Sequence, residues 1–462
     1  MSTYDDVLIK PRFSEIESRR DVDLTSQLTP NIKLTLPIIS ANMDSITEAA
    51  MAIAMAKNGG LGVIHRYCTI EEQVEMVRQV KRYTNYIIRE PYTVDFDTPM
   101  TQFDNVSKIQ SYLVMKNNEL IGILTNRDVL AYKITEGSDY TVGDFATTDL
   151  VCVSMEVAQN PSELLKMFRE HKFEQFPVLE DNELKGLITL KDILYRMSDG
   201  QTFTLDSKSR LAVAAAVGIT GDFLDRAKAL VTAGVDALVV DVAHGHHILC
   251  GKAVHELSTL FDVDIIAGNV CTADGVRYLA KCGAKCVKVG IGPGSICITR
   301  KQTGCGYPQL SAVQECAKAA KECKVTIIAD GGHQGASGNI FKAICAGAAA
   351  SMLGGMLSGT DETPGDIIVK DGKKVKMIRG MAGRMSNLRR GVKITTPEGV
   401  EGYVSAKGPV ADVLEQIKHG VQSGFSYVGC RNIAELRKNP VKFVKISGAS
   451  KRESGAHDIT EI

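Results

Sequence analysis

Residues Val263–Val270 read VDIIAGNV, and after a stretch with helical spacing residues Cys286–Gly292 read CVKVGIG. Each is a short apolar run that ends in small or polar residues. That is how a strand buried on both faces looks when its C-terminal end opens into a loop.

Six further runs have the same form: LPIISANM (Leu36–Met43), GLGVIHR (Gly60–Arg66), LAVAAAVG (Leu211–Gly218), DALVVDVAHG (Asp236–Gly245), VTIIADGG (Val325–Gly332) and AASMLGG (Ala349–Gly355). Strands alternating with helices imply parallel strands and crossover helices, and eight of them suit a closed (β/α)8 TIM barrel. An open doubly wound sheet is the alternative. In either architecture Asn42, Asp241, Asn269, Cys297 and Asp330 stand at strand C-terminal ends and converge on one face, where a site belongs.

The alternation stops between the second and third runs, and there the sequence repeats itself. NELIGILTNRDVL (Asn118–Leu130) matches NELKGLITLKDIL (Asn182–Leu194), each with Thr-x-x-Asp before a helix. Two copies of one supersecondary unit imply a small pseudo-symmetric domain inserted in a barrel loop. The expected division is barrel 1–91, insert 92–203 and barrel 204–462.

Composition narrows the function classes. Lys plus Arg (54) equals Asp plus Glu (54) in 462 residues, so no global field recruits nucleic acid or an anionic membrane. The start, MSTYDDVLIKPRF, has charges where a secretory signal needs an apolar run, and no stretch is apolar enough to cross a bilayer. The expectation is a cytoplasmic protein; the end, HDITEI, has no Ser-Lys-Leu address, and only a longer natural tail would point to a peroxisome-like organelle. Twelve scattered cysteines without paired spacing read as free thiols, mostly small core residues.

One cysteine stands apart. In GIGPGSIC (Gly290–Cys297) the glycines let several carbonyls and amides turn toward one point, where carbonyls hold a monovalent cation or amides hold a phosphate. A thiolate at Cys297 would gain from those amide dipoles and from Arg300 and Lys301, and the thiolate is the nucleophilic form. The strand ends at Asp330–Gly332 and Gly354–Gly355 supply a carboxylate for a ribose diol and backbone amides for a phosphate, the remaining parts of a nucleotide monophosphate site. Taken singly, each of these turns also reads as an ordinary capped strand-to-helix connection.

TYDDVLIKP, ISANMDS, AGNVCT, GIGPGSICITR, IIADGG, RGMAG and RESGAHDIT together resemble the IMP dehydrogenase and GMP reductase family, across nearly all of the barrel sequence. The inserted repeat looks like the paired CBS (Bateman) module that many IMP dehydrogenases carry in that loop. The resemblance implies a homotetramer, or an octamer, with Cys297 attacking C2 of a purine nucleotide. It implies GMP or IMP held by Ser295, Asp330, Gly331, Gly332, Gly354, Gly355, Arg379, Gly380 and Met381, and a nicotinamide cofactor met by Asp241 and Asn269. It also implies a potassium-type monovalent cation on the carbonyls of Gly292, Gly294 and Cys297, with Glu453 of a neighbouring chain nearby. At the CBS pair, Asp128 and Asp192 would contact a regulatory purine nucleotide that alters activity or assembly.

Within that family the chain looks most like a reductase, which expels ammonia from GMP and takes hydride from NADPH to give IMP in purine salvage. RKQTGCGYPQLSAV (Arg300–Val313), with Tyr307, has the reductase form, and Gly355 stands where dehydrogenases usually have Ser. The stretch from RGMAGRM to TTPEG lacks the Arg-Tyr pair that activates the hydrolytic water in dehydrogenases. The resemblance places Glu398 beside Thr299, where the two would protonate the departing amine. Against this, reductases usually lack the CBS pair and have Arg where this chain has Thr395, and GVEGYVSAKGPV (Gly399–Val410) is more dehydrogenase-like. The alternatives are an IMP dehydrogenase, converting IMP, NAD and water to XMP, and a catalytically dead nucleotide sensor.

Overall fold

The computed structural model describes residues 1–83, 87–103, 111–135, 139–158, 161–197, 203–208, 210–381, 383 and 397–455. These divide into two compact units, Met1–Tyr83 with Gln201–Ile462, and Thr84–Gly200.

In the first unit eight parallel strands close into a barrel. They are β1 (Ile38–Ser40), β2 (Leu61–Ile64), β3 (Val213–Val217), β4 (Ala237–Asp241), β5 (Asp264–Val270), β6 (Cys286–Val289), β7 (Thr326–Asp330) and β8 (Ala350–Leu353). Each lies within one of the eight apolar runs. β8 pairs back onto β1, Met352 opposite Ile39, so the sheet has no free edge and the open-sheet alternative falls.

The strand sequences explain both faces. In β3, Val213, Ala215 and Val217 pack outward against the helices, while Ala214 and Ala216 point into the barrel with Val63, Val239, Ile266 and Met352. The interior is therefore a packed core of small and branched side chains. β6 keeps the same alternation, with Val287 and Val289 outward and Cys286 inward. Lys288 is thereby placed inside, with 2% exposure. A lysine in that position needs anionic partners.

Near the strand N-terminal ends a second buried lysine closes the barrel floor. Lys81, at the end of helix Ile70–Arg82, donates to Asp206 (3.0 Å), Asp236 (2.5 Å) and the Leu211 carbonyl (3.0 Å). Asp206 belongs to the segment that enters β3, so this ion cluster fastens the chain on both sides of the insertion point to the entries of β3 and β4.

The second unit is built twice from one pattern. Hairpin Ser111–Lys116/Glu119–Thr125 precedes helix Asn126–Lys133, and hairpin Gln175–Glu180/Glu183–Thr189 precedes helix Leu190–Met197. Both hairpins turn through two residues of positive φ, Asn117–Asn118 and Asp181–Asn182, and both shift register at the same place, Val114/Met115 and Val178/Leu179. Strand Ile87–Ile88 pairs with Leu187–Ile188. That pairing draws the N-terminal edge of the unit back from the expected residue 92 toward 84.

Candidate active site

The loop after β6 carries Cys297. Gly290 and Gly292 have φ of 153° and 76°, and the Cys297 amide donates to the Gly294 carbonyl at 3.1 Å, closing a turn that presents the thiol. A second segment lies antiparallel to it: the Ile298 amide donates to the Glu398 carbonyl (2.9 Å) and the Val400 amide to the Ile296 carbonyl (3.0 Å). This pairing sets Glu398 next to Thr299 across a gap of 99 positions. The Cys297 thiol donates to Thr299 Oγ1 at 3.2 Å, and the Thr299 hydroxyl donates to Glu398 Oε2 at 2.7 Å. A thiol, a hydroxyl and a carboxylate thus form one hydrogen-bonded chain.

Arg300 has a different task from the one its place in the sequence suggests. Its guanidinium donates to the carbonyls of Ile291 (3.0 Å) and Tyr307 (2.5 Å), fastening the two ends of the cysteine loop together. The Tyr307 hydroxyl donates to Glu315, which ties the loop to helix Gln309–Cys323.

Beside the thiol the strand ends join through Lys288. Its ammonium donates to Asp241 (2.5 Å) and Asp330 (3.4 Å), while Asn269 Nδ2 donates to Asp330 Oδ2 (2.9 Å) and the Gly290 carbonyl (2.7 Å). Burial by itself would raise the Asp241 carboxyl, but the Lys288 charge and hydrogen bonds from Lys288 and Asn42 outweigh it and hold the group below its ordinary range. The same pairing, against burial, raises Lys288. A register shift between Gly268 and Val270 bulges β5 at Asn269, and bulges next to sites re-aim side chains. Asn269 Oδ1 and Arg66 Nε are buried without a protein partner. An amide-bearing ring beside Asp241 would satisfy the former, so these residues fit a nicotinamide.

A cleft of about 800 Å³ opens at the C-terminal ends of β6 to β8, lined among others by Ser295, Asp330, Gly331, Gly332, Gly354 and Gly355. Gly331 (φ 81°) requires glycine, and a Cβ on Gly355 would come within 2.6 Å of Ser295 Oγ. Among the described residues the amides of Gly354, Gly355 and Met356 meet no acceptor. Three free amides beside a serine hydroxyl fit a phosphate. Arg379 lies elsewhere: its guanidinium pairs with buried Asp44 (3.1 Å) and its amide donates to Ser45 Oγ, so it braces the loop after β1. Gly380 and Met381 follow in the adjoining turn, outside the cleft lining.

The carbonyls of Gly292 and Cys297 accept no hydrogen bond among the described residues, and that of Gly294 accepts one, so the loop fits a monovalent cation. No group of three or more His, Cys, Asp or Glu among the described residues suits a metal ion. In the inserted unit Asp128 caps its helix, accepting from the Thr125 amide and hydroxyl (2.7 Å each), and lines a cleft of about 660 Å³ with Arg127 and Lys172. Asp192 accepts from the Thr189 hydroxyl (2.6 Å) in the equivalent cap but is not part of that lining. Thr395 lies outside the described residues.

The fold and site define a (β/α)8-barrel protein with a loop-borne cysteine and a cleft that fits a nucleotide phosphate. The chain belongs to the IMP dehydrogenase / GMP reductase family, whose domain it matches over residues 1–457. It is 42% identical to the GMP reductase of Leishmania major, over all of this chain and 97% of that protein. It is also 42% identical to the IMP dehydrogenase of Nitrosopumilus maritimus, over 99% and 98%. Among solved structures, a cysteine-to-alanine GMP reductase of Trypanosoma brucei in complex with guanosine 5′-monophosphate aligns with TM-score 0.90 at 42% identity, covering 99% of this chain and 98% of that one. No helix among the described residues is long and apolar enough to cross a membrane.

Lys288 escaped the sequence reading although it lies in a quoted run; its signal was a cation at an inward strand position. His333, in the same cleft, stacks on Tyr4 with ring centroids 5.6 Å apart, and burial pushes its pKa from 6.5 down to about 4. The unfolded chain therefore takes up this proton below pH 6.5 and the folded chain only near pH 4, so stability is lost as pH falls through that window, by roughly 3 kcal/mol. His333→Phe, which keeps a ring against Tyr4, is expected to flatten the fall in unfolding temperature between pH 6.5 and 4. An unchanged slope would assign the acid sensitivity to other groups.

Proposed function

We propose that the protein is a GMP reductase, converting GMP and NADPH to IMP, ammonia and NADP. The observation that carries this is the Cys297–Thr299–Glu398 chain, because ammonia, unlike hydride, cannot leave C2 without a proton. The Cys297 thiol gives its proton to Thr299 and onward to Glu398 as sulfur bonds to C2. The same path returns a proton to the 2-amino nitrogen, the C2–N bond breaks, and ammonia departs from a thioimidate on Cys297. Proton help of this kind contributes roughly 10²–10⁴-fold. The nicotinamide, when bound, supplies the hydride that C2 needs before sulfur leaves as thiolate.

This chain's other residues orient the reactants. The Gly354–Met356 amides and Ser295 hold the phosphate, Asp330 holds the ribose with the lone pairs that Asn269 and Lys288 leave free, and Asp241 and Asn269 meet the cofactor. The carbonyls of Gly292, Gly294 and Cys297 take a potassium-type cation, and the enzyme works as a homotetramer. Tyr307, Gly355 and the absence of an Arg-Tyr pair support the reductase over the dehydrogenase, whose relatives are equally similar.

Incubation with GMP and NADPH should consume the cofactor, while IMP and NAD should give little reduced cofactor. Reaction in the second mixture alone would make the protein a dehydrogenase, and reaction in neither would leave the nucleotide-sensor reading. Glu398→Gln should lower kcat for GMP by roughly 10²-fold or more with a smaller effect on KM.

We further propose that Thr84–Gly200 is a CBS pair that binds a purine nucleotide in the cleft lined by Asp128, Arg127 and Lys172. A Trypanosoma brucei GMP reductase, 38% identical, has been solved in complex with guanosine 5′-triphosphate. Calorimetry with GTP, ATP and GMP should give binding heat that Asp128→Ala and Lys172→Ala reduce, and no such change would refute the assignment.

A further inference from the structure

The turn that follows β8 is held by two lysines from one antiparallel hairpin, Lys373–Arg379 with Glu401–Ser405 and the residues just beyond it. Lys407 donates to the carbonyls of Gly355 (3.2 Å) and Met356 (2.9 Å). Lys376, 3% exposed, donates to the carbonyls of Thr360 (3.1 Å), Asp361 (3.2 Å) and Thr363 (2.6 Å). Among the described residues no carboxylate pairs with either ammonium. Both positive charges thus rest on peptide dipoles and remain uncompensated.

The two differ in what they face. Lys376 is enclosed behind the turn. Lys407 lines the cleft itself, and it is the one lysine or arginine among the described lining residues; the carboxylates there, Asp330 and Glu401, carry the opposite sign, and burial keeps His333 neutral. A nucleotide 5′-phosphate brings close to two negative charges at neutral pH. Serine and amide donors satisfy its hydrogen bonds, but they supply no full charge against it.

We propose that Lys407 is the specificity-determining cation for the 5′-phosphate. It donates to the Met356 carbonyl and, together with the Ser358 hydroxyl, to the Gly355 carbonyl, so that the neighbouring amides remain for the phosphate, and it offsets the charge that Asp330 and Glu401 would otherwise repel. The inference rests on the reading that this cleft takes a purine nucleotide monophosphate, but it holds for GMP and IMP alike. It is therefore independent of the direction of the reaction.

The test compares phosphate with no phosphate on the same base. Dissociation or inhibition constants of GMP, guanosine, IMP and inosine are measured on the full chain for wild type, Lys407→Gln, Lys407→Arg and Lys376→Met. Gln keeps an N–H donor without the charge, so it separates charge from hydrogen bonding. Lys407→Gln should lower the nucleotide-over-nucleoside preference about tenfold, through KM far more than kcat, with Lys407→Arg restoring most of it. Lys376→Met should lower the unfolding temperature and leave the preference as in wild type. A Lys407→Gln protein with an intact preference would overturn the inference. A wild type that does not prefer nucleotides over nucleosides would instead overturn the nucleotide reading of the cleft.

Discussion

The Cys297–Thr299–Glu398 arrangement depends on a short backbone pairing. The Ile298 amide with the Glu398 carbonyl, and the Val400 amide with the Ile296 carbonyl, make one rung of antiparallel sheet between two loops. Without it Thr299 would open a five-residue helix, with Cys297 in the loop just before it and no carboxylate beside them, since Glu398 lies just ahead of the strand Glu401–Ser405 beyond β8. The pairing fixes the Thr299 hydroxyl between thiol and carboxylate, and proton transfer tolerates little error in such distances. The hairpin that follows Glu398 carries Lys376, with Lys407 just beyond it, so the carboxylate beside Thr299 and the turn after β8 are braced by the same element.

Lys288 supplies the electrostatic counterpart. An ammonium inside a closed barrel is tolerated because Asp241 and Asp330 reach it from strands on either side of β5 and β6, and Asn269 completes the link. Removing one member of such a buried set typically costs about 3–5 kcal/mol, because the remaining charge is left without a partner. Asp241 and Asp330 are therefore held by one cation, and at Asp241 that pairing outweighs burial and keeps the carboxyl below its ordinary range.

The barrel was legible because its strands are apolar on both faces and end in polar residues, a pattern that survives without any partner strand in view. The repeat in the insert was legible for a similar reason, since Asn117–Asn118 and Asp181–Asn182 use the same positive-φ turn. The edge near residue 84 was not, because Ile87–Ile88 becomes a strand only through its pairing with Leu187–Ile188. At the site, Cys297, Ser295 and the glycine turns carry local signals, whereas the closeness of Thr299 and Glu398 came from family resemblance and not from spacing. Arg379, expected at the nucleotide, turns to Asp44 instead, and Lys407, in a stretch noted only for its dehydrogenase-like form, faces the cleft. Long side chains choose partners by tertiary geometry, which no single stretch of sequence records.

The central claim is that Cys297 displaces ammonia from C2 before hydride arrives. It is tested most directly by acid-quenching the enzyme during turnover of NADPH and GMP bearing a heavy 2-amino nitrogen, then weighing the Cys297 peptide. The account predicts one nucleotide bound to Cys297 that has lost the heavy nitrogen, and no adduct or turnover in Cys297→Ala. Turnover that persists in Cys297→Ala, or an adduct that always retains the heavy nitrogen, would contradict it.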